Sequence, residues 1–149
     1  MIRGGPWLVA GGVLSAAGAL LHLATIAGGA DWYRFFGAGE DMARMAERGS
    51  WTPAIIAAGV ALLLGIAAAY AFSGARVIAR LPLLRTGLVV ITAVYLMRGL
   101  VVAMPSLLGR PDLTSTFLIW SSLIVLVFGL VYLIGTWQAW PSIKQGISD

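Results

Sequence analysis

Cysteine is absent from the 149 residues. That removes disulfides, thiolate zinc sites, iron–sulfur clusters and cysteine nucleophiles from consideration. Charge is scarce as well. Only 11% of residues are Asp, Glu, Lys or Arg, where soluble domains carry about 25%. There is one histidine, His22, and one lysine, Lys144; the other nine basic residues are arginine. No carboxylate lies inside any long apolar run. A small proton- or cation-coupled exporter relies on an embedded carboxylate, and an intramembrane aspartyl protease needs two, so neither is expected. A G-x-S-x-G elbow is missing. "FFGAGE" (Phe35 to Glu40) lacks the Lys-Ser/Thr ending of a phosphate loop and the strand before it. The basic residues are scattered and form no stripe, so nucleic acid is not an expected partner.

What is present is hydrophobic. Apolar residues make up 60% of the chain, and the mean hydropathy is +0.92. Crossing a hydrocarbon core of ~30 Å takes about 20 mostly apolar residues in a helix. Four stretches qualify, about 6–28, 53–72, 83–104 and 113–137. The fold class is therefore all-α: an integral membrane four-helix bundle forming a single transmembrane domain over 1–149. Pro53 suits a first helical turn with Ser50 as its cap. Pro105 and "GRPD" (Gly109 to Asp112) punctuate the third loop. The first stretch has an apolar run of about 20 residues, longer than the 7–15 of a signal sequence, and is read as a retained helix.

An even number of spans puts both termini on one side. That side carries Arg3, Arg76, Arg80, Arg85 and Lys144. The other carries Arg34, Arg44, Arg48 and Arg110, diluted by Asp31, Glu40, Asp41, Glu47 and Asp112. The short loop "SGARVIARLPLLR" holds three arginines, and short loops weigh most in setting orientation. Both termini are expected in the cytoplasm. The first loop divides in two. "DWYRFF" is aromatic and interfacial. "EDMARMAER" has the pattern of a short amphipathic helix, with Glu40 and Arg44 at i,i+4 and Gly49 as its stop. It either lies on the outer membrane surface or caps the helices above it.

Small residues mark the packing faces. The first span carries Gly11, Ser15, Gly18, His22, Thr25 and Gly29 on one face; the second offers Ala54, Ala58, Ala61, Gly65 and Ala68. The fourth has Ser115, Ser122, Gly129 and Thr136 at seven-residue spacing. Leu62, Leu63 and Leu64 are expected to meet lipid or another subunit.

Polar side chains converge at one depth. Counting ~1.5 Å per residue places His22 and Arg98 each about 10 Å from the outer ends of their spans. Tyr95 lies one turn below Arg98, and Trp120, Ser121 and Ser122 reach the same level from the fourth span. A charge well inside a membrane costs ~2.5–3.5 kcal/mol on insertion scales, less where it snorkels. Arg98 is therefore either a structural residue tied to Glu40 or Asp41, a ligand-gripping residue, or an intersubunit contact. The ligand reading makes His22, Tyr95, Arg98, Trp120 and Ser122 the lining of an outer-leaflet pocket for an amphipathic ligand such as a lipid or quinone. His22 alone is an ordinary packing histidine or a neutral hydrogen-bonding partner. With Met97 and Met104 it makes too few ligands for a metal or haem, so no metal and no cofactor is expected.

"LLHLATIAGGADWYRFFGAGEDMARM", "YAFSGARVIARLPLLR" and "ITAVYLMRGL" together resemble a group of small four-helix bacterial membrane proteins of unknown function, over about residues 18–104. The order of helix, amphipathic loop and three further helices is similar to DoxX-like proteins in architecture. The resemblance implies a bacterial inner membrane and carries no activity. Three readings follow. The first is a non-enzymatic structural or accessory membrane subunit with lipids around it, oligomeric through its small-residue faces. The second is a binder or carrier of an amphipathic ligand. The third is an enzyme acting on a lipid-phase substrate.

Overall fold

The computed structural model describes residues 2–107 and 116–144. "GRPD", Arg110, Asp112, Ser115 and the expected start of the fourth span at 113 lie outside the described residues. Every regular element described is helical: α1 (Gly5–Phe35), α2 (Glu40–Glu47), α3 (Thr52–Gly74), α4 (Leu84–Leu100), a 3₁₀ turn (Val101–Ala103), α5 (Met104–Leu107) and α6 (Thr116–Lys144). Four helical stretches are long and apolar enough to cross a membrane: Gly5–Phe35, Thr52–Gly74, Leu84–Ala103 and Thr116–Ile143. The 23 residues of α3 reach about 35 Å at 1.5 Å each, enough for a hydrocarbon core.

The described helices overrun the hydropathy-based spans at two ends. α1 continues to Phe35, but it breaks at Gly29, whose φ of 66° and ψ of −150° are not helical. Only glycine reaches that backbone region without steric cost. The apolar run ends at Gly28, so hydropathy found the break and missed the helical turns beyond it. α6 runs on past Trp137 to Lys144, with Pro141 inside its last two turns. Pro141 has no N–H to donate there. The last carbonyls of the helix, which have no N–H ahead of them in the helix, are held from outside: Arg76 Nη2 donates to the Ser142 carbonyl at 3.2 Å and Arg80 Nη2 to the Ile143 carbonyl at 2.8 Å. Cations at a helix C-terminus also complement its dipole.

The chain packs as two compact units, residues 1–14 with 67–149, and residues 15–66. In the first unit α4 packs along α6, joined by the start of α1 and the end of α3. Its core is made of Leu8, Leu88, Tyr95, Tyr132, Ala139 and Ile143 with small residues between them. Two glycines let α4 and α6 approach closely. A Cβ on Gly99 would stand 2.7 Å from the Leu126 Cα, and one on Gly129 would stand 3.0 Å from the Leu96 nitrogen. The expected stripe on α6 is buried at Ser122, Gly129 and Thr136. Tyr132 is fully buried, and its hydroxyl donates to the Ala67 carbonyl at 2.9 Å.

The second unit is built from the rest of α1, α2 and the first part of α3. Tyr33, Ala43 and Ala57 are its buried centre, with Ile26, Ala30 and Ala46 packed against them. α2 is the amphipathic helix expected in the first loop. Its end is a Schellman motif: Gly49 N–H donates to the Ala46 carbonyl and Ser50 N–H to the Met45 carbonyl, with Gly49 at φ 74°. α3 starts at Thr52 with Trp51, not the expected Ser50, in the N-cap position, since the Trp51 carbonyl accepts the first helical bond from Ile55; the Ser50 hydroxyl, one residue earlier, accepts the Thr52 amide at 3.3 Å. Of the expected stripe on α3, Ala61 and, in the first unit, Ala68 are buried and Ala54 is half-buried, while Ala58 and Gly65 are exposed; Pro53 and Ala57 are buried in their place. Leu62 and Leu63 are exposed as expected, and Leu64 is half-buried.

Candidate functional site at the α4–α6 contact

Arg98 stands in the last turn of α4, where the negative end of the helix dipole favours a cation. Directly after it Gly99 closes the distance to α6. That close approach brings the guanidinium within reach of two adjacent hydroxyls. Arg98 Nη1 donates to Ser122 Oγ at 3.1 Å, and Nη2 donates to Ser121 Oγ at 3.2 Å. Ser121 passes its own proton on to the Leu118 carbonyl at 3.3 Å. Ser122 is fully buried, so its hydroxyl has no solvent alternative to the guanidinium.

Tyr95, one turn below Arg98, is buried edge-on against Phe128 and Tyr132, with ring centroids 5.8 and 5.2 Å away. Both contacts have the perpendicular geometry that aromatic quadrupoles favour. Thr92, a further turn along, returns its hydroxyl to the Leu88 carbonyl at 2.7 Å. Trp120 is 64% exposed and lies outside this buried set. Of the expected layer, the structure joins Arg98 to Ser121 and Ser122 and buries Tyr95 one turn below.

His22 belongs to the second unit. Its Nδ1 stands 2.8 Å from the Gly18 carbonyl. A carbonyl only accepts, so Nδ1 carries the proton, and a neutral ring then offers Nε2 as an acceptor. Thr25 beside it returns its hydroxyl to the Leu21 carbonyl. Both are bonds to the preceding turn of the same helix, the ordinary way a polar side chain is satisfied in an apolar helix.

Glu40 is engaged within the second unit. Arg34 Nε and Nη2 grip its two carboxylate oxygens at 2.9 and 3.1 Å, and Arg44 Nε adds a third donor at 3.2 Å. Arg34 Nη2 also reaches Glu47 at 2.7 Å, and Nη1 meets Asp31 at 3.5 Å. The Arg34 guanidinium and then Arg44 hold the Glu40 carboxyl down to about 2. Asp41, the other carboxylate offered to Arg98, is exposed in the first turn of α2.

Chemically, the α4–α6 contact is a cation spread over two hydroxyls and a stack of aromatic edges. Among the described residues, no three His, Asp or Glu side chains stand together to hold a metal ion. Compared with known proteins, the chain matches no family model, no curated protein and no solved structure.

Proposed function

We propose that this chain is a non-enzymatic, multi-pass membrane protein, a structural or accessory subunit of a bacterial inner membrane with both termini in the cytoplasm. The observation that carries the reading is the donation of Arg98 to Ser122 and Ser121. Those bonds direct the charge to α6, as expected of a clasp between two spans. A guanidinium reserved for a ligand would more naturally face a cavity. The four apolar helices support the membrane assignment. The arginines of the α3–α4 loop support the orientation, through the bias of short cytoplasmic loops toward basic residues. The inner membrane rests on the resemblance of the sequence over about residues 18–104 to small bacterial four-helix proteins, an expectation from the sequence alone. Its partners on this reading are membrane lipids and further copies of itself.

The test compares wild type with Arg98→Ala, purified gently, by thermal unfolding and by mass spectrometry of co-purifying lipid. The clasp predicts a lower Tm with an unchanged complement of bound lipid. A lipid or quinone lost from the variant, with Tm held, would replace this reading with that of a ligand carrier acting through Arg98.

A further inference from the structure

The α3–α4 loop and the end of α6 enclose a groove that the Arg98 contact does not touch. It has a volume of about 690 Å³, and Arg80, Arg85, Thr86, Val89, Val90 and Trp140 line it. Three features give it the chemistry of an anion site. The Arg85 guanidinium lies over the Trp140 ring, 4.6 Å from its centroid, while its Nε is buried with no hydrogen-bond partner. Stacking fixes the plane of the fork, and its terminal N–H groups, rather than the buried Nε, are the donors for an acceptor in the groove. Arg80 uses Nη2 on the Ile143 carbonyl, and the rest of its fork remains for a second acceptor. Finally, α4 begins at this groove, and no side chain caps its first turn. Uncapped N–H groups at a helix N-terminus favour a phosphate.

The other wall is apolar. Val89 and Val90, one turn further into α4, are 47% and 53% exposed. A site for a free soluble anion has no use for such a wall beside it. A phospholipid does, because its phosphate and its acyl chain leave the same glycerol in opposite directions. We propose that this groove binds an anionic phospholipid, its phosphate between Arg80, Arg85 and the start of α4 and one acyl chain along Val89 and Val90. The bound lipid would complete the polar lining of the helix end and fix the α3–α4 loop against the membrane surface.

The experiment is native mass spectrometry of the full chain released from nanodiscs holding equal phosphatidylglycerol and phosphatidylcholine. Wild type is expected to retain one phosphatidylglycerol in clear preference to phosphatidylcholine. Arg85→Gln is expected to lower that preference about fivefold, the size of one basic contact to an anionic headgroup. Arg85→Lys, which keeps the charge and loses the fork, is expected to fall between them. Arg34→Gln, which lies in the other unit, is expected to leave the preference as in wild type. Equal retention of both lipids by wild type overturns the proposal without recourse to any variant. So does an unchanged preference in a folded Arg85→Gln. Inorganic phosphate supplies the remaining arm: if it raises the Tm as much as phosphatidylglycerol while no lipid is retained, the site takes free phosphate and the lipid assignment falls.

Discussion

Arg98 and Gly99 are neighbours with opposite demands, one needing polar partners and the other needing no side chain at all. Their contributions separate by substitution. Ser122→Ala removes one hydroxyl from a fully buried position and leaves a guanidinium N–H without its acceptor. Hydrogen bonds between membrane helices are worth about 0.6–2 kcal/mol, and the loss of stability on unfolding in detergent is expected in that range. Gly99→Ala meets main-chain atoms, with the new Cβ 2.7 Å from the Leu126 Cα and 2.8 Å from its nitrogen. Backbone yields less readily than a side chain, so overpacking of about 1–3 kcal/mol is expected. Gly59, with nothing within 4 Å of its added Cβ, is the control, and Gly59→Ala is expected to stay within about 0.5 kcal/mol of wild type. A ranking with Gly99→Ala no worse than Gly59→Ala would mean that α4 and α6 are not held at this distance. Depth counting alone made Ser122 legible as company for Arg98, because both residues sit a countable number of turns from span ends. The carboxylate partners were a different matter. Arg34 lies six residues before Glu40, a shorter chain closure than any partner on a distant helix, and local pairing is invisible to counting by depth.

At the level of the element, α2 shows how a loop helix is held without a side-chain cap at its N-terminus. Its N-cap position is Gly39, which has no side chain to donate or accept. Arg34, just before the end of α1, substitutes by gripping Glu40 and Glu47 at the two ends of α2. The acidic first turn of α2 adds a favourable dipole term. Removing the grip with Arg34→Gln is expected to speed amide exchange across residues 40–47 while leaving α4 and α6 unchanged; uniform exchange in both proteins would show that Tyr33 and Ala43 packing alone holds the helix. The same grip sets a pH dependence. Glu40 is held near 2 against an ordinary value of 4.5, by Arg34 first and Arg44 second. A depressed folded value means the stabilisation is complete above about 4.5, fades as pH falls through that window, and is gone below about 2. Exchange protection of α2 is expected to follow that course, and high salt to blunt it because the pair is exposed. Protection that rises on acidification would reverse the sign and remove Glu40 from the grip. "EDMARMAERG" announced this helix by its i,i+4 pair and its terminal glycine, signals that act within one or two turns. The overrun of α6 past Trp137 carried no such signal, since Gln138 and Pro141 interrupt the apolar run and the arginines that hold its end come from the α3–α4 loop, more than sixty residues away in the chain.

At the scale of the whole molecule the distribution of side chains is that of a protein solvated by lipid. Leu20, Leu62, Leu63, Val90, Met97, Trp120 and Trp137 are each at least half exposed, while Ser15, Thr25, Ser73, Thr92, Ser122 and Thr136 are buried. A water-soluble fold places these two classes the other way round. In lipid the arrangement is favourable, because association there rests on small-residue contact and a few polar bonds. Hydropathy made this legible over every long span. It says less about orientation, which turns on a few charges. Arg76, Arg80 and Arg85 gather at one helix end within ten residues, whereas Arg34, Arg44 and Arg48 share theirs with Asp31, Glu40, Asp41 and Glu47. Basic residues in short loops resist translocation, and nearby acidic residues change that little. The bias therefore rests on concentration near the span ends, and the α3–α4 loop has it. A green fluorescent reporter fused after Asp149 is expected to fluoresce, and an alkaline phosphatase reporter at the same point is expected to be inactive. The same phosphatase placed in the first loop after Gly39 is expected to be active. The reverse pattern would turn the molecule over, put the Arg80–Arg85 groove in the outer leaflet, and move Arg98 to the cytoplasmic half of the membrane.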